Sequence, residues 1–101
     1  MTPPPAKDKF VFELCFGAMS IKVPQFREAM NRRDESTVRS LARELRNTVE
    51  LLGLPRLFQL SQDIEYQPIG ADAQVWHGQC TRFCDLLENI HWSLKQKLQK
   101  N

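Results

Sequence analysis

Two histidines and three cysteines are the side chains of this 101-residue chain that are best suited to chemistry. His77, Cys80 and Cys84 are separated by three and four residues, a spacing that brings them to one flank of a helix. Imidazole and thiolate groups bind zinc, but a structural zinc site needs four ligands, and no fourth ligand is evident. We therefore predict buried free thiols and no metal site, with His91 at the boundary of the core.

A second group of polar side chains lies within residues 36–52. At about 100° per residue, a helix over this segment has an apolar side and an opposite polar sector. The apolar positions are Val38, Leu41, Leu45, Val49 and Leu52, and the polar sector holds Ser36, Arg39, Arg43, Arg46, Asn47 and Glu50. Arg43 lies near the middle of the polar sector and is predicted to point to solvent. Its guanidinium stays protonated and has no free lone pair, so it binds anions but is no nucleophile. An ordinary solvated helix face is the alternative interpretation.

The composition excludes several classes of function. A formal net charge of +2 without a basic tract argues against nucleic-acid binding. No apolar run reaches the roughly 18–20 residues of a membrane span. The longest run, residues 10–21, is broken by Glu13 and lacks the features of a signal peptide. Three cysteines without an export signal indicate reduced thiols, so we expect a single-domain cytoplasmic protein without a cofactor.

Four amphipathic helices are predicted to follow a flexible, proline-rich tail of residues 1–9. The three consecutive prolines of the tail favour an extended, solvated backbone. The first helix spans residues 10–32 and contains Pro24, which is expected either to kink it or to divide it in two. Its predicted inward residues are Phe10, Leu14, Ala18, Ile21 or Val23, Phe26 and Met30.

Capping residues mark the limits of the next two helices. Asp34 or Ser36 is the predicted N-cap of the second helix, and Gly53 is its C-terminal stop. Pro55 suits the first turn of the third helix. The inner residues of the last two helices are predicted to be Leu57, Leu60 and Ile64, then Trp76, Cys80, Phe83, Leu87, Ile90, Leu94 and Leu98. Four such helices with short connections predict an all-α, antiparallel four-helix bundle over residues 10–101.

Residues 39–65, RSLARELRNTVELLGLPRLFQLSQDIE, resemble the central motif of histidine phosphotransfer (HPt) domains of bacterial phosphorelays. That family carries Ala-His-x-Leu-Lys-Gly, then small residues, then Leu-Gly and a new helix. Its framework positions are filled here by Ala42, Leu45, Leu52, Gly53 and Leu57. The resemblance extends over about residues 23–98 and implies a four-helix bundle with the active histidine exposed on one helix.

The departures from this family bear directly on function. The phosphoacceptor histidine aligns with Arg43, the following lysine with Arg46, and the glycine with Asn47. Thr48, Val49 and Glu50 stand where the family has small residues. Because arginine cannot replace the imidazole nucleophile, the resemblance implies a site that has lost phosphotransfer.

We therefore predict a non-enzymatic HPt-like protein that binds a receiver domain or a histidine kinase as an adaptor or inhibitor. The predicted binding residues are Arg39, Arg43, Arg46, Asn47, Glu50 and Phe58. Phe58 is either an exposed apolar anchor or half-buried against the first helix, and Leu51 is a weaker second anchor. One alternative is an active phosphorelay protein that uses His77 or His91. The other is a helical assembly module, since self-association is also compatible with this pattern.

Overall fold

The computed structural model describes residues 5–68 and 72–99, with side chains from residue 9 onward. Four helices and no strand make up these residues, which confirms the predicted all-α class. The helices are α1 (Pro5–Asn31), α2 (Glu35–Leu51), α3 (Pro55–Tyr66) and α4 (Ala73–Gln99). Helix α1 packs against α2 and α4, and α3 packs against the same two helices. Within the described ranges, no helix is both long and apolar enough to cross a membrane.

The turn between α2 and α3 forms as the sequence predicts. The amide of Gly53 donates to the carbonyl of Glu50 at 3.0 Å, and the amide of Leu54 donates to that of Val49 at 3.1 Å. These two bonds form a Schellman motif, which requires a left-handed residue, and Gly53 supplies it with a φ of 69°. Pro55 then opens α3, where its missing amide hydrogen would have had no helical partner.

The turn between α1 and α2 uses the same motif with a less suitable residue. The amide of Arg33 donates to Met30, and that of Asp34 donates to Ala29. Here the left-handed residue is Arg33, with a φ of 56°, although a side chain makes this conformation unfavourable. Asp34 is the N-cap of α2 and accepts hydrogen bonds from the hydroxyl and amide of Thr37, which hold the pKa of Asp34 below its usual value.

The core draws on all four helices and confirms most of the predicted inward faces. Its members are Cys15, Met19, Val23, Phe26, Ala29, Met30, Val38, Leu41, Ala42, Leu45, Val49, Leu57, Ile64, Cys80, Phe83, Cys84, Leu87 and Leu94. The half-buried side chains of Leu52, Leu60, Trp76 and Ile90 pack against this core.

The predicted inward face of α1 is wrong in its N-terminal half. Phe10, Leu14 and Ile21 are 65%, 54% and 64% exposed, whereas Cys15 and Met19 are buried. Both sets of residues recur at helical spacing, so the segment offers two apolar stripes and the periodicity alone did not distinguish them. The face that continues back from Phe26 and Val23 passes through Met19 and Cys15, and this face is the one that packs.

Two further expectations about α1 are corrected. Pro24 does not divide the segment, because α1 is one helix from Pro5 to Asn31. Pro24 is exposed, so its ring lies on the solvent side of the helix. The extended backbone predicted for residues 1–9 does not hold for residues 5–9, which are helical, and Pro5 is compatible with a first helical turn. Residues 1–4 lie outside the described part.

Candidate protein-binding surface on α2 and α3

The central predicted residue, Arg43, is exposed on the outer side of α2. Its side chain is 72% accessible, and its Nε lies 4.0 Å from Oε2 of Glu65 on α3. A surface ion pair at this distance contributes little to stability. The guanidinium of Arg43 therefore keeps most of its capacity to contact another molecule.

Arg39, one turn earlier, is engaged within the fold instead. Its Nη1 donates to three main-chain carbonyls at the end of α3, and these belong to Ile64 at 3.1 Å, Glu65 at 2.9 Å and Gln67 at 2.8 Å. The last carbonyls of a helix have no partners within it, so Arg39 caps α3. Its Nη2 also donates to Glu35 at 2.7 Å, and its guanidinium lies 5.1 Å from the centre of the Trp76 ring.

Arg46, one turn after Arg43, is also bound to α3. Its Nη1 donates to Oε1 of Glu65 at 2.6 Å, and both side chains are less than one-fifth exposed. Its guanidinium lies 5.7 Å from the ring centre of Tyr66. All three predicted arginines lie on α2, and Arg39 and Arg46 also connect α2 to α3, which was not predicted.

Apolar groups lie near the C-terminal end of this surface. Phe58 is half-buried and packs against the core, so it is not the fully exposed anchor of the first prediction. A shallow cleft of about 280 Å³ lies beside it, lined by Glu50, Gly53, Leu54, Pro55 and Phe58. Leu51 is 57% exposed, and Asn47 and Glu50 face solvent. The predicted residues Arg43, Asn47 and Glu50 thus lie on an accessible face, with Phe58 at its edge.

The two histidines lie on α4 and not on this surface. His91 stacks on Phe16 with a ring separation of 4.5 Å, and its Nε2 lies 2.8 Å from the hydroxyl oxygen of Ser20. This contact between α1 and α4 places His91 at the boundary of the core, as predicted. His77 is exposed and lies on the first turns of α4.

The three cysteines are free and buried, which confirms the interpretation of the thiols. Burial raises the pKa of Cys80 to about 12 and that of Cys84 to about 11. Across residues 5–68 and 72–99, no group of three or more potential ligands is arranged to hold a metal ion. Cys80 and Cys84 are both buried in the core, so their spacing of four residues follows the packed face of α4.

Glu65 and Trp76 contact the arginines of α2, and these contacts were not predicted from the sequence. Glu65 is only 14% exposed and lies between Arg43 and Arg46. Trp76 donates its indole N–H to the carbonyl of Ile64 at 2.9 Å while Arg39 lies over its ring. The partners are separated by 12 or more positions along the chain, and no local periodicity connects them. The only available signal in the sequence was an acidic residue, Glu65, in the predicted third helix, next to the arginine-rich second helix.

Comparison with protein-family models, with curated protein sequences and with solved structures yields no match for this chain.

Proposed function

We propose that this chain is a protein-binding module with an HPt-like fold and no phosphotransfer activity, and that its binding surface is centred on Arg43. One observation carries the proposal. The residue aligned with the phosphoacceptor histidine is an exposed guanidinium, whereas the arginines on either side are held by α3. A single accessible cation on an ordered helix face is suited to recognition of an acidic surface.

The finer topology that we propose is an antiparallel four-helix bundle. Its support is the order of the contacts that join α1 to its neighbours. These contacts are Cys15 with Thr48, Lys22 with Glu44, Phe16 with His91, and Arg27 with Asp85. In each helix pair, rising residue numbers in α1 match falling numbers in the other helix, as expected of antiparallel neighbours.

Phosphotransfer through the aligned site is disfavoured by its chemistry. Attack on a phosphoryl group needs a neutral lone pair, and the guanidinium of Arg43 has none at physiological pH. Asn47 and Glu50 add bulk and an anion to the same face of α2. His91 is stacked and hydrogen-bonded within the α1–α4 contact, which argues against its use as a phosphoacceptor.

The partner class that we propose is a receiver domain or a histidine kinase, and it rests on the resemblance of residues 39–65. A receiver domain presents a group of acidic side chains around its phosphorylated aspartate, to which Arg43 is complementary. Phe58 and the cleft beside it would supply the apolar contact, because charge pairs determine orientation and association rate more than affinity. The protein would act in the cytoplasm.

The test is direct binding to purified receiver domains and kinase domains of the same host. Arg43→Glu is expected to weaken the complex at least tenfold, since like charges brought together in an interface cost several kcal/mol. Arg56→Glu is the matched control, because Arg56 is an exposed arginine of α3 that lies away from Arg43, in the α3–α4 cleft. The measurement is the dissociation constant at low and high salt, and the effect of Arg43 should shrink as salt rises.

Two results would overturn this proposal. In the first, a partner is found that binds wild type and Arg43→Glu equally well. In the second, incubation with a phosphorylated receiver domain transfers labelled phosphate to this protein.

A helical assembly module is a second candidate, favoured by the exposed apolar stripe of Phe10, Leu14 and Ile21 on α1. Solvated helix faces rarely expose three large apolar residues in one row. Sedimentation equilibrium would show a concentration-dependent dimer that Leu14→Lys dissociates, whereas a monomer at all concentrations would exclude this candidate.

A further inference from the structure

A broad cleft lies along the N-terminal half of α4, beside the turn that joins α1 to α2. Its volume is about 880 Å³, which is within the range of small-molecule sites. Arg33 and Glu35 of the turn region line it on one side, and residues of the N-terminal half of α4 line the rest. The side chains relevant here are Arg33, Trp76, His77, Thr81, Arg82 and Leu86. The cleft is therefore lined by both apolar and charged side chains, and Arg43 is not among them.

The charges of this cleft are unevenly paired. Its two carboxylates are engaged by arginines outside it: Glu35 accepts from Arg39, and Asp85 accepts from Arg27 at 2.8 Å. Its two arginines, Arg33 and Arg82, have no carboxylate within 4.0 Å in the described part of the chain. Both guanidinia are thus available to an anion, whereas both acidic groups already have partners.

Arg33 is held in this position at a conformational cost. Its φ is positive, in a motif where glycine is the favoured residue. The equivalent residue at the end of α2 is Gly53, so the same chain uses glycine where only the turn matters. The turn requires the left-handed backbone but not a side chain, so an arginine kept at this position is an indication of function at that side chain.

The apolar part of the cleft is also ordered. The indole of Trp76 is fixed by its hydrogen bond to the carbonyl of Ile64 and by the guanidinium of Arg39 on its ring. Leu86 is 37% exposed and continues the apolar surface towards α3. A ligand that fits both parts needs an apolar body and an anionic group that reaches the two arginines.

We propose that this cleft binds a small amphipathic anion, in which an aromatic or aliphatic body carries a carboxylate, phosphate or sulfonate group. The body contacts Trp76 and Leu86, and the anionic group is bound by Arg33 and Arg82. His77 and Thr81 also line the cleft and supply hydrogen-bonding groups. This site is independent of the protein-binding surface proposed above.

The test uses 8-anilinonaphthalene-1-sulfonate as the probe and N-phenyl-1-naphthylamine as its matched neutral analogue. Wild type should bind about one equivalent of the sulfonate, at least fivefold more tightly than the neutral compound. Arg33→Gln and Arg82→Gln should each weaken sulfonate binding about fivefold. Arg32→Gln is the control, because Arg32 is the adjacent exposed arginine and does not line the cleft.

Arg33→Gly separates a binding role from a structural one. It should raise the melting temperature by removing backbone strain and weaken sulfonate binding as much as Arg33→Gln does. Dodecanoate and dodecyl phosphate, added as competitors, then distinguish a carboxylate from a phosphate ligand. Near-UV circular dichroism checks that each variant is folded. Arg82 lies within α4, so Arg82→Gln tests the anion-binding role without changing a turn.

The proposal is overturned if the neutral analogue binds as tightly as the sulfonate, which would mean that the probe reports apolar surface elsewhere. It is also overturned if Arg33→Gln and Arg82→Gln both stay within twofold of wild type, or if neither competitor displaces the probe.

Discussion

Arg39 joins α2 to both α3 and α4. Its guanidinium reaches the end of α3 through three carbonyls, Glu35 on its own helix, and the ring of Trp76 on α4. The geometry depends on a planar group with several N–H donors pointing in different directions. Arg43, only one turn away, makes one loose contact. Two arginines of similar position in the sequence therefore have different roles.

Arg39→Lys is expected to destabilise the fold by about 1–3 kcal/mol, because an ammonium group cannot reproduce the forked contacts and leaves the part-buried carbonyls of Glu65 and Gln67 without this donor. Arg43→Lys is the matched control and should change the free energy of unfolding by less than about 0.5 kcal/mol. Urea denaturation of both variants measures the difference. Equal stabilities would mean that the cap on α3 is not energetically important.

At the level of the elements, two turns share one hydrogen-bond pattern but differ in their left-handed residue. Gly53 ends α2 with a φ of 69°, and Arg33 ends α1 with a φ of 56°. A Cβ added at Gly53 would meet no heavy atom within 4 Å, so any effect of a side chain there comes from the backbone conformation alone. Substitutions at Gly53 and Arg33 therefore measure the free-energy cost of placing a side chain on a left-handed backbone.

Gly53→Ala is expected to destabilise the protein by about 1 kcal/mol, and Arg33→Gly to stabilise it by up to about 1 kcal/mol. Arg33→Ala should have little effect, since alanine carries the same strain as arginine. Thermal unfolding of the three variants checks the signs. A loss of stability in Arg33→Gly would show that contacts of the arginine outweigh its backbone strain.

How far the sequence predicts these elements depends on whether a segment has one apolar side or two. Residues 36–52 have a single apolar side, and their helix, its caps and its buried face were predicted correctly. In α1, Phe10 and Leu14 compete with Cys15 and Met19, and only packing against the other helices selects between them. The roles of Arg39 and Arg46 were missed for a related reason, because their partners belong to α3 and α4 and leave no trace in local periodicity.

In the molecule as a whole, the three thiols are shielded from water only while the core is folded. Cys15, Cys80 and Cys84 lie on α1 and α4 and are shielded from water. Desolvation by burial disfavours the thiolate, which is why the pKa of each group lies above its ordinary value. Unfolding exposes all three at once.

The raised pKa values predict that stability falls as the pH rises from about 9 towards 12, because the unfolded state loses thiol protons before the folded state does. Below the unfolded pKa, the thiols contribute no pH dependence. The variant Cys80→Ala is expected to show a weaker decline over this window than wild type. Urea denaturation at several pH values measures the free energy of unfolding of both proteins. Equal declines in wild type and Cys80→Ala would contradict the raised pKa of Cys80.

The order in which the helices contact one another has a consequence for folding kinetics. Three of the four helix pairs in the described chain, α1 with α2, α2 with α3 and α3 with α4, are consecutive, so their contacts form after short loop closures. The contact of α1 with α4 joins segments more than 50 residues apart, for example Arg27 with Asp85. If this contact forms after the transition state, weakening it will speed unfolding and leave the folding rate nearly unchanged. The α1–α4 contact, including the stack of Phe16 on His91, would then determine how long the native protein persists.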